Sequence, residues 1–270
     1  MNIEEQNNRY EFLNLSMDSG VLTLTVDKPK SLNALNNKLL MELDDCLSSL
    51  RQQRDPLLKG MIFTGSGEKA FIAGADIKEM AAMGTLEGEK FAVAGQKVTL
   101  LLEDLPFPVI AAVNGFALGG GCEMAMSADF IFATKDAVFG QPEVKLGLIP
   151  GFGGTQRLAK IVGRNKAKEI IYSGRNVSVE EAHELGLVLR IYDKKNEMLE
   201  GAKELLDQIA QNSPLAVSRA KKVMNRGNDL TVPNGLEVES EQFALLFASE
   251  DMKEGTGAFL DKRSPDFKGK

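Results

Sequence analysis

The stretch "VIAAVNGFALGGGCEMAMSADF", Val109 to Phe130, is almost wholly apolar or glycine until Glu123 appears after three glycines and Cys122. Its opening, read with Pro108 as "PVIAAVNG", has the continuous apolar character of a buried strand. Gly119, Gly120 and Gly121 then open a helix whose first amides have no partner within it. A carboxylate in such a run is expensive to bury unless it has a partner or titrates abnormally. Glu123 is therefore the first candidate functional residue.

Outward from this stretch, the same alternation of strand and helix recurs. "YEFLNLSMDSGVLTLTV" alternates apolar residues on either side of Asp18-Ser19-Gly20 and reads as a β-hairpin. Asn36 to Arg54 places Leu39, Leu40, Leu43, Cys46, Leu47 and Leu50 at helical spacing. "KGMIFTG" reads as a buried strand and Glu89 to Leu105 as a helix, so the order β, α, β, α, β points to crossover units of an α/β fold. After Phe130 the pattern gives a strand "FIFAT", helices at Thr155 to Ile161 and Val179 to Leu185, and a last strand "LVLRIYD". Beyond Lys194 only helices are expected, with Pro214 and Pro233 at early helical positions. The division is a core over residues 1–195 and a helical region over 196–270, which serves as a subunit interface or caps its own core.

Composition narrows the function. The chain has 270 residues, 43% of them hydrophobic, and a net charge of -6 with no basic block, so nucleic acid is a poor default partner. No apolar segment approaches the roughly 20 residues that cross a bilayer. The polar, acidic start "MNIEEQNNRY" and two cysteines, Cys46 and Cys122, read as buried free thiols, fit a cytoplasmic protein. The single histidine, His183, sits in an ordinary helical pattern, so no conventional hydrolytic triad and no zinc site are expected. "GSGEKA", Gly65 to Ala70, matches a loose dinucleotide-loop pattern but opens no helix, so that reading fails.

Carboxylates and backbone amides remain. In "AFIAGADIKEM" the Ala75 amide lies just before Asp76, which can cap a short helix, and "ALGGGCEMAM" presents a second set of amides. Exposed amides at a helix start attract negative charge, although such glycines also serve close helix packing. A second acid, Glu143, follows Glu123 by twenty positions across an intervening strand, an excursion that can return it to the same cleft. Two acids flanking a reacting centre can act as base and acid; each alone is equally a structural ion-pair or turn residue.

The motifs "KPKSLNAL" (28–35), "AFIAGADIKEM" (70–80), "NGFALGGGCEMAM" (114–126), "FGQPEVKLGLIPGFGGTQRL" (139–158) and "EDMKEGTGAFLDKR" (250–263) together resemble the enoyl-CoA hydratase/isomerase, or crotonase, superfamily. The resemblance runs from about Tyr10 to Phe267. It implies a ClpP-like spiral of ββα units with a helical C-terminal trimerisation region, assembled as a homotrimer or as a homohexamer of two trimers. It implies an oxyanion hole from the Ala75 and Gly120 amides, water positioned by Gly151, and catalysis by Glu123 as base and Glu143 as acid. Coenzyme A, present only as part of the acyl-CoA substrate and with no separate cofactor, would be held by Lys30 and by Ala73, Ala75, Asp76, Ile77 and Lys78. Phe259 and Lys262 would join from a neighbouring subunit. The activity implied is hydration of a short-chain trans-2-enoyl-CoA such as crotonyl-CoA, with Phe152 favouring a short chain. Isomerase, branched-chain hydratase, RNA-binding and inactive members of the superfamily are the alternatives.

Overall fold

The computed structural model describes residues 3–52 and 58–270. The chain enters through an antiparallel hairpin, β1 (Leu13–Asp18) and β2 (Val21–Val26), registered from Leu13 opposite Val26 to Asp18 opposite Val21. Ser19 and Gly20 both take positive φ, 52° and 86°, the two-residue turn whose twist matches the flanking strands. The remaining strands are β3 (Gly60–Gly65), β4 (Ala70–Ile72), β5 (Val109–Val113), β6 (Phe116–Leu118), β7 (Phe130–Thr134), β8 (Val138–Gly140), β9 (Asn176–Ser178) and β10 (Arg190–Tyr192).

These strands sort into two sheets by a simple alternation. The six-stranded sheet has the order β1-β2-β3-β5-β7-β10, and the four-stranded sheet β4-β6-β8-β9. Each of the pairs β3–β4, β5–β6 and β7–β8 thus sends its first strand to the large sheet and its second to the small one. Helices Thr85–Glu103 and Gly120–Ala125 close the first two pairs, giving a spiral of ββα turns. β4, β6 and β8 run parallel, so the chain leaves all three at the same end of the small sheet.

Burial explains the strand composition. Every residue of β3 and of β5 is buried. One face of the large sheet joins the main core with Leu39, Leu43 and Leu47 of the Asn37–Arg51 helix. On the other, Val21, Ile62, Ile110 and Phe132 pack with Met198, Ala202 and Leu206 of the Lys195–Ile209 helix. A strand buried on both faces has no reason to alternate, which is why these runs are continuously apolar. Asn36 caps the Asn37–Arg51 helix by accepting from the Leu39 amide at 2.9 Å. Positions 53 and 54 of the helix expected over Asn36 to Arg54 lie outside the described residues.

The small sheet is where the sequence expectations fall short. β4, β6, β8 and β9 have three residues each, too short for a period-2 signal. A further helix, Arg164–Ser173, follows the expected one, which spans Gly154–Val162. The strand expected in "LVLRIYD" contracts to Arg190–Tyr192. Beyond it come Lys195–Ile209, Pro214–Gly227, Val232–Leu246 and Glu250–Asp261, all helical. Pro214 and Pro233 lie in the first turn of their helices. No described helix is long and apolar enough to cross a membrane.

Candidate active site

The segment from β6 into the Gly120–Ala125 helix forms one wall. The Gly119 amide donates to Gly140 O at 2.9 Å, tying the turn to β8, while the Glu123 amide donates to Gly119 O at 3.0 Å. Gly119 has φ 50° and ψ -124°, a conformation open essentially to glycine. A Cβ on Gly121 would lie 1.9 Å from Ile72 O, so only glycine lets the helix start this close to β4. The amide of Gly120, at the first helical position, has no intrahelical acceptor and contributes to the positive potential at the helix start.

A second free amide comes from the loop after β4. Leu35 forms an isolated parallel bridge with Ala75, in which Leu35 donates to Gly74 O at 2.9 Å and accepts from the Asp76 amide at 2.7 Å. Successive peptide groups of extended chain point to opposite sides, so this bracketing turns the Ala75 amide away from Leu35. Asp76 caps the Ile77–Met80 helix as expected, accepting from the Lys78 amide at 3.1 Å, and pairs with Lys28 at 3.6 Å.

Glu123 is 1% exposed. Its Oε1 accepts from the amides of Phe152 at 2.8 Å and Gly154 at 2.6 Å. Burial pushes its carboxyl above the ordinary range, and those two donors and the Arg157 charge pull it back. Glu143 begins the 3-10 turn Glu143–Leu146 that follows β8. Burial, reinforced by the Glu123 charge, raises it to about 7. The two acids therefore share one site and differ in environment: Glu123 accepts two backbone amides, whereas Glu143 is raised to about 7 chiefly by burial.

Gln141, which the sequence reading did not single out, adjoins Glu143. It is fully buried, and with its amide nitrogen toward Glu143 it lies 3.2 Å from both carboxylate oxygens. A Cβ on Gly154 would meet the end of the Gln141 side-chain amide and Glu123 Oε1, each at 2.9 Å. Its place in the motif, two positions before Glu143, was the only available signal.

The acids and amides line a cleft of about 1950 Å³ whose wall includes Ala73, Ala75, Ile77, Gly120, Glu123, Glu143 and Gly151. Lys30, Asp76, Lys78, Phe259 and Lys262 are not part of that wall. Lys30 stands in the exposed turn Pro29–Ser31, and Phe259 projects from the last helix, 83% exposed. His183 Nδ1 lies 2.8 Å from Val188 O in a local helix-end contact. Burial pushes both thiols, Cys46 and Cys122, up to about 12, which leaves them neutral and unreactive. Among the described residues no group of three or more His, Cys, Asp or Glu is placed to hold a metal ion.

This combination of a two-sheet ββα spiral, paired free amides and paired acids defines a known class. Residues 16–270 match the family model described as enoyl-CoA hydratase/isomerase, and the chain belongs to that family. It is 47% identical over 249 residues to a short-chain-enoyl-CoA hydratase of Clostridium acetobutylicum, covering 92% of this chain and 94% of the relative. It is 43% identical over 258 residues to a crotonyl-CoA hydratase of Syntrophomonas wolfei, covering 96% and 98%. Among solved structures, an enoyl-CoA hydratase from Bacillus anthracis superposes with a TM-score of 0.91 at 37% identity, over 96% of this chain and all of that one.

Proposed function

We propose that this chain hydrates short-chain trans-2-enoyl-CoA thioesters, with crotonyl-CoA the type substrate, to 3-hydroxyacyl-CoA. The observation that carries the reading is the presence of two buried acids in one cleft, Glu123 fixed as an acceptor and Glu143 raised to about 7, beside the free amide of Gly120. The names of the two relatives support the chain length. An enolate site alone needs the amides; adding water across a double bond also needs a base and an acid.

In this mechanism the amides of Ala75 and Gly120 donate to the thioester oxygen, which gains negative charge as the reaction proceeds. Such preorganised donors are worth most where charge develops. Glu123 takes one proton from a water held by the Gly151 amide while the water oxygen bonds to C3. The C2–C3 π pair moves toward the carbonyl and forms an enolate. Glu143 then delivers its proton to C2 and the enolate collapses to the thioester. Return of the proton from Glu123 to Glu143 completes a net addition of H₂O.

Coenzyme A is held in this reading by Lys30 and the loop from Ala73 to Lys78, with Phe259 and Lys262 supplied by a neighbouring copy. The exposure of Phe259 and Leu260, of Phe243 on the Val232–Leu246 helix and of Phe247 just after it, supports residues 196–270 as the surface of a homotrimer or of a hexamer of two trimers. The reaction as drawn uses no resident cofactor, and the two neutral buried thiols support a cytoplasmic setting. Loss of the enoyl-thioester absorbance is the test. Crotonyl-CoA should be consumed with a higher kcat/KM than eight- or ten-carbon enoyl-CoA, and a chain inactive on every enoyl-CoA would refute the reading.

A further inference from the structure

We infer that Gln96 and Arg157, which line the same cleft, are positioning residues for Glu123, acting through the backbone of the Gly151–Gly154 turn. The inference rests on the reading of Glu123 as the base. Gln96 Nε2 donates to Gly151 O at 2.9 Å, and the Phe152 amide donates to Glu123 Oε1 at 2.8 Å. That carbonyl and that amide belong to one trans peptide group, in which C=O and N–H point in opposite directions. Holding the oxygen from the Thr85–Glu103 helix therefore aims the N–H at the carboxylate on the other side.

The next carbonyl is held as well. Phe152 O accepts from Arg157 Nη1 at 2.9 Å and from Thr99 Oγ1 at 3.2 Å. Arg157 is itself anchored to Glu103 through Nε at 2.6 Å, with only 14% of its side chain exposed. Arg157 and Thr99 thus fix the Phe152–Gly153 peptide, which lies between the two peptides whose amides, Phe152 and Gly154, meet on a single oxygen of Glu123. Left to itself the turn would be adaptable, since Gly153 at its centre has φ 109°. Arg157 also contributes charge: the ionisable groups acting with Glu123 are Arg157 from the Gly154–Val162 helix, Glu143 from its 3-10 turn and the neutral Cys122 thiol on its own helix.

The test compares Gln96→Leu and the pair Arg157→Met with Glu103→Leu, which leaves no buried charge unpaired, in the wild-type and Glu123→Gln backgrounds. With crotonyl-CoA, each brace variant is expected to lower kcat about tenfold, and up to ~10²-fold if the carboxylate moves by about an ångström, with KM within about twofold. The acid limb of kcat/KM should move to higher pH, because a less well solvated Glu123 holds its proton longer. In the Glu123→Gln background the residual rate should fall no further. Wild-type kcat and an unmoved acid limb in both variants, or an equal fold loss with Gln at position 123, would overturn the inference. Failure of the wild-type chain to hydrate crotonyl-CoA would instead overturn the reading on which it rests. Gln96 is exposed, so its substitution separates positioning from folding.

Discussion

Gly119 and Glu143 leave no room between them for a methyl group: a Cβ on Gly119 would lie 2.6 Å from Glu143 Oε1. The turn that presents the Gly120 amide is therefore in direct contact with the proposed acid. Gly119→Ala should displace Glu143 and strain a backbone that L-residues avoid, at about 1–3 kcal/mol. Loss of one oxyanion donor alone costs roughly 10²–10³ in rate. A kcat for crotonyl-CoA reduced by at least about 10² is expected in a folded variant, checked by steady-state kinetics beside a circular dichroism spectrum.

Glu123→Gln and Glu143→Gln remove the proposed base and the proposed acid while keeping the shape of each side chain. General acid–base groups contribute about 10²–10⁴ each, so each variant should lose hydration by that order. Because the two act on one turnover, the double variant should fall far short of the product of the single losses. Near wild-type activity in either single variant would remove the two-acid mechanism.

Glu143 ties both rate and stability to pH. Its carboxyl is raised from 4.5 to about 7, so hydration should decline as pH rises through about 7 in kcat/KM, which reports the free enzyme. Between pH 4.5 and about 7 the folded chain holds this proton and the unfolded chain does not. Stability contributed by that proton is present at low pH and lost as pH rises through the folded value. Glu143→Gln escapes that loss, so its melting temperature should gain on wild type between pH 5 and pH 8. A constant difference across that range would contradict the assignment.

Lys221 reaches from the Pro214–Gly227 helix to Asp129 Oδ2 at 2.8 Å and to Phe107 O at 3.0 Å. The same Asp129 oxygen accepts the Val109 amide at 2.7 Å, at the start of β5. Only 8% of the Lys221 side chain is exposed. Breaking a buried pair from one side costs about 3–5 kcal/mol, and Lys221→Met should lower the unfolding free energy by that order at pH 8 in urea titrations. The loss should be smaller at pH 5, where Asp129, already raised by burial, can take up a proton once its partner is gone.

The legible part of this molecule is the part whose signal is local. β3, β5 and β7 are apolar runs, and Glu123 stands out because a charge follows fourteen positions, Val109 to Cys122, all apolar or glycine except Asn114. The ordered motifs carried the family and both acids. The small sheet escaped because a three-residue strand such as Phe116–Leu118 is defined by its neighbours. Gln96 and Gln141 escaped for a related reason: an amide side chain on a helix or in a loop has no distinctive pattern, and the partner of Gln96 lies across the fold. Lys30 and Phe259 are a different case, since neither reaches the cleft of its own chain.

The parallel run of β4, β6 and β8 gives the fold a modular chemistry. Ala75 follows β4, Gly120 follows β6 and Glu143 follows β8, so three successive turns of the spiral each end in one working part. The strands set the spacing between parts, and the loops choose what each part is. Replacing the segment after β8 would exchange the proposed proton donor while leaving in place the amides after β4 and β6 proposed to stabilise the enolate. One scaffold can thus change which bond is made next without relearning how to hold the thioester.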